Sequence, residues 1–228
     1  MRNFLRHVDE FLRGEGRFAP DAPVTRRLRW LIAFVLIFGA LYGVVMSSFT
    51  GVTPGRYHQM LYVGLKVPMM LLATFLLCLP NFFVLNTLMG LRDDFGQALR
   101  AVVAMQACLS IVLGALAPIT AFFYCCAIYY DMAVIFNGIV FAVATFSTYI
   151  VIRRYYGALI RRNARHGVML FAWLGIYVFV GIQMGWVLRP FIGDPNVPVV
   201  FFRTEAWGNP YLVIFSLFGQ IYRWLTGG

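Results

Sequence analysis

One lysine and a few amides are the side chains best suited to chemistry in this apolar chain. Lys66 is the only lysine, against eighteen arginines, and it lies inside a long apolar run. An ionisable group at membrane depth is costly unless it is paired or hydrated, so it is by default a candidate functional site. We predict a polar path between helices formed by one lysine and four amides: Lys66, Asn81, Gln106, Asn137 and Gln183.

Two simpler interpretations of the same residues stay open. Lys66 lies about six residues from the start of its apolar run, which is about 9 Å at helical rise, so its ammonium can snorkel to the interface. The amides can form hydrogen bonds between neighbouring helices without touching any solute.

Motifs of common catalytic and metal sites are missing from the sequence. There is no G-x-S-x-G, H-E-x-x-H or phosphate-loop pattern, and the three histidines fall outside the apolar runs. The cysteines Cys78, Cys108, Cys125 and Cys126 have no metal-ligand spacing. We therefore expect a protein that is not an enzyme and that needs no cofactor or metal.

Apolar helices are the elements that must position these residues. Hydrophobic residues make up 61% of the 228-residue chain and charged residues 12%, about half the charged share of a soluble domain. The apolar runs are continuous over about twenty residues, which is typical of membrane helices and not of barrel strands. The predicted fold class is an all-α, polytopic membrane bundle of five transmembrane helices. The spans cover about residues 30–49, 60–91, 101–123, 132–152 and 167–188.

The second apolar run is too long for a simple crossing. At helical rise it would be about 48 Å long, against a hydrocarbon core of about 30 Å. It also contains Pro68 and Pro80. We expect a kink or a break near Pro80 and Asn81.

Glycines recur at the spacing that lets helices approach closely. Gly39 and Gly43 in the first span, and Gly181 and Gly185 in the fifth, follow the G-x-x-x-G pattern. This spacing predicts close helix–helix contacts at both places.

Residues 1–29 are predicted to form a cytoplasmic amphipathic segment. Phe4, Val8 and Phe11 recur at helical spacing, with charged residues elsewhere on the wheel. Such a helix either lies at the membrane surface or packs on the rest of the protein.

Residues 189–228 form a tail rich in proline and aromatic residues. Residues 211–225 are only about fifteen residues long, a length that favours an interfacial helix, and a sixth span is the alternative. The rest of the tail is either a lid or partner-docking surface, or a structural cap on the bundle. Its candidate partner-binding residues are Arg189, Asp194, Arg203, Glu205 and Trp207.

The distribution of basic residues predicts the topology. Fourteen arginines lie in the N-terminal segment and in the loops after spans two and four, against four basic residues on the other side. The positive-inside rule then places the N-terminus in the cytoplasm and the tail outside, and we expect a bacterial inner membrane. The net charge of +10 is explained by orientation and by contact with anionic lipid head groups, so nucleic acid is not an expected partner.

The N-terminal segment and five closely spaced spans resemble the Yip1-type family of small membrane proteins. The resemblance covers about residues 26–188 and rests on this architecture and on the proline-broken second span, Lys66-Val67-Pro68 and Leu79-Pro80-Asn81. It implies a membrane-organising or trafficking-adaptor role without catalysis.

Two functions are consistent with the sequence. The first is a non-enzymatic membrane scaffold or accessory subunit with protein partners or a homo-oligomeric state. It is favoured because one lysine and no acid lie well inside the spans, whereas proton-coupled transport normally uses a buried acid. The alternative is a small transporter or channel subunit in which Lys66 and the amides contact the solute.

Overall fold

The computed structural model describes residues 2–15, 18, 24–51, 53–127, 129–193, 199–202, 209–212 and 219. These residues form six α-helices, of which α2 to α6 are long and apolar enough to cross a membrane. The predicted all-α, five-span bundle is therefore confirmed. The helices are α1 (Arg2–Arg13), α2 (Val24–Ser47), α3 (Tyr57–Leu88), α4 (Phe95–Cys126), α5 (Tyr130–Arg162) and α6 (Arg165–Val187).

Each of the five long helices packs against particular neighbours. Helix α2 contacts both α3 and α4, while α5 packs on α4 and α6 packs on α3. Short connections reverse the chain between successive helices, which gives the bundle two distinct ends. We call the end with α1 and the α3–α4 and α5–α6 connections the basic end. The opposite end holds the α2–α3 and α4–α5 connections and the residues after α6.

The predicted close contact at the first glycine pair is a tight seam between α2 and α3. A Cβ placed on Gly43 would lie 2.4 Å from the carbonyl oxygen of Val63, and one on Gly39 would lie 3.3 Å from the Cα of Pro68. Both obstacles are backbone, which cannot rotate aside. Glycine is therefore required for α2 to lie this close to α3.

The second glycine pair also faces α3, but more loosely. A Cβ on Gly181 would lie 3.7 Å from the Thr74 side chain, and one on Gly185 would lie 3.7 Å from the sulfur of Met70. These are ordinary van der Waals distances to side chains. Glycines of both α2 and α6 therefore face α3, but only the contact between α2 and α3 is sterically tight.

Helix α3 does not break at its prolines. Pro68 and Pro80 both lie inside one 32-residue helix. Of the kink or break predicted near Pro80 and Asn81, the break is therefore wrong, and the kink stays a prediction. Neighbouring helices can maintain a proline-containing membrane helix. The helix ends instead at Leu88, and Gly90, two residues further on, has a φ of 71°. The Leu91 amide donates to the Asn86 carbonyl at 2.8 Å, a pairing that closes helix C-termini around a left-handed glycine.

The N-terminal helix α1 is present, and its apolar face packs on α2. The Phe4 ring lies 5.4 Å from Phe34, and the His7 ring lies 4.3 Å from Trp30. Phe11 is almost completely buried. On the exposed side, Arg6 pairs with Glu10 at 3.0 Å. Packing on the rest of the protein, one of the two predicted settings for this helix, is observed, and the membrane-surface setting stays a prediction.

At the basic end the helices continue past the apolar spans. The apolar run of α5 ends at Ile152, before Arg153, while the helix continues to Arg162. Residues 153–162 add about 15 Å at helical rise. A head-group layer is about 5–8 Å thick on each side of the hydrocarbon core. The charged end of α5 is therefore longer than a head-group layer is thick.

Candidate functional site

Lys66 lies on α3 beneath the residues that follow α6. Its side chain is completely buried, and its Nζ donates a hydrogen bond to the Pro190 carbonyl oxygen at 3.1 Å. Nζ also lies 4.8 Å from the centre of the Phe201 ring, with the rings of Phe202 at 5.8 Å and Phe191 at 6.0 Å. A carbonyl and three aromatic faces therefore surround the ammonium.

Lys66 is therefore enclosed by the protein instead of snorkelling to the interface, which was one of the interpretations that the sequence left open. Aromatic faces carry partial negative charge and attract cations, more strongly where water is excluded. The Pro190 carbonyl adds a hydrogen bond in which the donor is charged, and such bonds are stronger than neutral ones. Lys66 thus joins the N-terminal part of α3 to the chain that follows α6.

Gln106 connects three helices through one amide. Its Nε2 donates to the Leu71 carbonyl on α3 at 2.8 Å, and its Oε1 accepts from the Tyr177 hydroxyl on α6 at 2.9 Å. Gln106 and Tyr177 are both buried. The amide therefore satisfies its donor and acceptor at once, as expected of a polar group between membrane helices.

Asn137 forms a second buried hydrogen-bond network, between α2, α4 and α5. Its Oδ1 accepts from the Tyr42 hydroxyl at 2.7 Å. Its Nδ2 donates to the Tyr124 hydroxyl at 2.6 Å and to the Ala133 carbonyl at 2.7 Å. Tyr124 in turn donates to the carbonyl oxygen of Met46 at 3.1 Å. This network and the Gln106 bridge share no residue. The network joins α2, α4 and α5, whereas Gln106 on α4 binds α3 and α6.

The remaining two path candidates do not join these networks. Asn81 is exposed on α3, and Gln183 is partly buried on α6 between Gly181 and Gly185. The five candidates thus occupy separate environments: an aromatic enclosure, two hydrogen-bond networks, an exposed helix face and a helix–helix contact.

Of the five outer-surface candidates, only Arg189 lies among the described residues. It is partly buried, and its guanidinium carbon lies 3.5 Å from the centre of a Trp186 ring. Asp194, Arg203, Glu205 and Trp207 lie outside the described residues, as does most of the predicted 211–225 helix.

An ionic cluster at the basic end is a site that sequence reasoning missed. Asp94 accepts from Arg162 Nη1 at 2.9 Å and interacts with His166 Nε2 at 3.1 Å. His166 is completely buried. The cluster holds the α3–α4 connection against the end of α5 and the start of α6. Asp94 is 68 residues from Arg162 and 72 residues from His166 along the chain. The only sequence signal for the cluster was that each residue lies near a predicted turn.

The described residues contain no group of three or more histidine, cysteine or acidic side chains placed to hold a metal ion. No family model matches the chain, and comparisons with curated proteins and with solved structures found no match. The class of protein thus follows from the fold: the chain is a polytopic helical membrane protein.

Proposed function

We propose that this protein is a non-enzymatic integral membrane scaffold or an accessory subunit of a larger membrane complex. The observation that carries the proposal is the use made of the buried polar groups. Gln106 and Asn137 hydrogen-bond to neighbouring helices, and Lys66 binds the chain's own tail. Groups used in this way stabilise the bundle instead of lining a path for a solute.

In this proposal the basic end faces the cytoplasm of a bacterial inner membrane and the tail lies outside. The arginine distribution supports this orientation through the positive-inside rule. Arginines beside the spans contact anionic lipid head groups. The resemblance to the Yip1-type family points to the same kind of membrane-organising role.

Partner binding is assigned to the outer tail. Lys66 and the rings of Phe191, Phe201 and Phe202 anchor the described part of the tail on α3. An anchored loop can present charged residues to a partner at low entropic cost. The residues assigned to this surface are Arg189, Asp194, Arg203, Glu205 and Trp207.

Co-purification tests the proposal. The tagged protein is extracted from native membranes in mild detergent, with and without prior crosslinking, and bound proteins are identified and quantified by mass spectrometry. We expect a stoichiometric partner that is lost from Glu205→Ala combined with Trp207→Ala. The matched control is Asp93→Ala, an exposed residue at the basic end, which should retain it. Finding no stoichiometric partner in crosslinked membranes would contradict the proposal.

A small transporter or channel subunit is the second candidate, and one observation favours it. A completely buried lysine within a membrane span is costly to maintain and often marks a solute or ion pathway. Flux of a candidate solute into liposomes, measured for the native chain and for Lys66→Met, tests this role. Equal flux through both proteins would remove Lys66 from any transport mechanism.

A further inference from the structure

Helices α3 and α6 meet in a regular antiparallel register. A Cβ on Gly181 would lie 3.7 Å from the side chain of Thr74, and the rings of Phe82 and Trp173 have their centres 5.8 Å apart. Each turn along α3 towards the basic end is therefore matched by one turn along α6. Asn86 follows Phe82 by one turn and faces the same helix. We call this contact the α3–α6 seam.

The seam contains buried polar atoms that have no hydrogen-bond partner among the residues that the structure describes. These atoms are Thr74 Oγ1, Asn86 Oδ1 and Trp173 Nε1, and their side chains are at most 1% exposed. At the basic end of the seam, His166 Nδ1 and the hydroxyl of Tyr156 are unpaired in the same way, with ring centres 6.0 Å apart. Buried polar atoms in folded proteins are nearly always paired, so this group needs an explanation.

The buried amides outside the seam are paired. Gln106 and Asn137 each use both the donor and the acceptor of their amide. The indoles of Trp30 and Trp186 also lack a partner in the described part of the chain, but one lies on α2 and the other near the end of α6. The clustering of unpaired atoms is therefore a property of the seam.

Unpaired polar atoms make the closed seam less stable than a contact between apolar side chains. Each atom has lost its hydrogen bond to water and gains no protein partner in exchange, so the full cost of removing it from water remains. Separation of α6 from α3 at the basic end would return water to Asn86, Trp173 and His166 together. The seam therefore opens at a lower cost than an apolar contact of the same size.

The ionic cluster at Asp94 holds this end of the seam closed. Asp94 lies in the α3–α4 connection and contacts Arg162 at the end of α5 and His166 at the start of α6. Hydrogen bonds to a carboxylate are stronger than those between neutral groups. The Arg162 side chain is 66% exposed, however, and exposed ion pairs stabilise a protein only weakly. A contact of this strength can break and re-form.

We propose that the α3–α6 seam opens to water at the basic end and that Asp94 is the latch that keeps it closed. The opened cleft presents the indole N–H of Trp173 as a donor and the amide oxygen of Asn86 as an acceptor. It admits water and small neutral molecules that both donate and accept hydrogen bonds. This cleft goes beyond the proposed function and does not depend on it, because the assigned partner surface lies in the tail at the opposite end.

Reaction of a cysteine placed in the seam measures its opening. Met169→Cys is the probe, because Met169 is completely buried and lies one turn from Trp173 towards the basic end, level with Asn86. The exposed Cys125 and Cys126 are first changed to serine. Membrane vesicles are treated with a charged methanethiosulfonate, which reacts with thiols in contact with water, and each modified peptide is quantified by mass spectrometry.

Asp94→Ala should open the seam. It loses the contacts with Arg162 and His166, and we expect the reaction at position 169 to accelerate about tenfold, a factor that corresponds to 1.4 kcal/mol. The matched control is Asp93→Ala, an exposed neighbour, which should react at the native rate. Cys108, buried on α4, is the internal control and should react equally slowly in every variant.

Two results of this experiment would overturn the proposal. An unchanged rate at position 169 in Asp94→Ala would show that Asp94 is no latch. An equal acceleration at Cys108 would show that the whole bundle loosens, which contradicts a seam that opens by itself.

Trp173→Phe provides a second test, in which the expected change has the opposite sign to that of ordinary core packing. The variant removes an unpaired N–H and keeps a ring against Phe82, so opening loses part of its advantage. We expect the reaction at position 169 to slow about threefold, since the cavity left by the smaller ring offsets part of the gain. Phe82→Leu is the control, because it leaves a cavity without removing a polar atom and should accelerate the reaction. Acceleration by Trp173→Phe would refute the proposal.

Discussion

Lys66 and Val84 lie on the same side of α3, eighteen residues or five helical turns apart, yet their surroundings differ completely. Lys66 is enclosed by residues that follow α6, whereas Val84 is exposed. The difference shows that one continuous helix face is covered by the chain itself at the opposite end of the bundle and left open at the basic end.

Helix α2 packs tightly against another side of α3, and Gly43→Ala should disrupt this contact. The new methyl group would meet the Val63 carbonyl, so α2 and α3 must separate. We expect a loss of about 3 kcal/mol, the upper part of the usual range for overpacking, measured by thermal unfolding in detergent. Gly138→Ala, which has open space around it, should not destabilise the protein. Equal stability of both variants would disprove the tight seam.

Two amide-to-leucine changes distinguish buried contacts from the open face. Gln106→Leu leaves the Tyr177 hydroxyl and the Leu71 carbonyl without that partner and should cost about 2 kcal/mol. Asn81→Leu alters an exposed position and should leave the unfolding midpoint unchanged. The comparison fails if the two variants lose equal stability.

Lys66→Ala removes the anchor at the covered end. It eliminates the hydrogen bond to Pro190 and the aromatic contacts with Phe201 and Phe202, together about 1–2 kcal/mol. We expect cleavage of the tail by added protease to accelerate about tenfold, as 1.4 kcal/mol corresponds to a factor of ten. Leu65→Ala, an exposed neighbour, is the control. Unchanged cleavage in Lys66→Ala would mean that the tail is held elsewhere.

A smaller effect is expected where α1 covers α2. Hydrogen bonds from Arg6 and His7 lower the pKa of Glu10 below its ordinary value of 4.5. An acid with a lowered pKa stabilises the folded form above its ordinary pKa, and this contribution disappears as pH falls through the lowered value. A spin label at Leu5→Cys, in the Cys125→Ser and Cys126→Ser background, should become more mobile over that range. With Glu10→Gln the label should show no such transition.

The span positions could be predicted because they depend on local sequence. Continuous apolar runs and the glycine spacing at Gly39 and Gly43 identify membrane helices and a close contact without any knowledge of the fold. Of the kink or break predicted near Pro80, the break was wrong because a missing backbone donor does not by itself end a helix that its neighbours support. The assigned tail surface stays a prediction.

The surroundings of the polar residues were beyond sequence reasoning because they depend on distant contacts. Lys66 and Pro190 are 124 residues apart, and Gln106 and Tyr177 are 71 apart. No local periodicity reports which loop folds over a given residue. The aromatic enclosure of Lys66 and the cluster at Asp94 therefore emerge only in three dimensions.

Because the tail encloses Lys66, the chemical reactivity of this lysine reports whether the tail is in place. Lys66 is the single lysine of the chain, so an amine-reactive reagent has only one side-chain target. While the tail covers Lys66, its ammonium is shielded from the reagent, and a reaction there would record each opening of the tail. The rate of modification, followed by intact mass, would measure that motion without any engineered label.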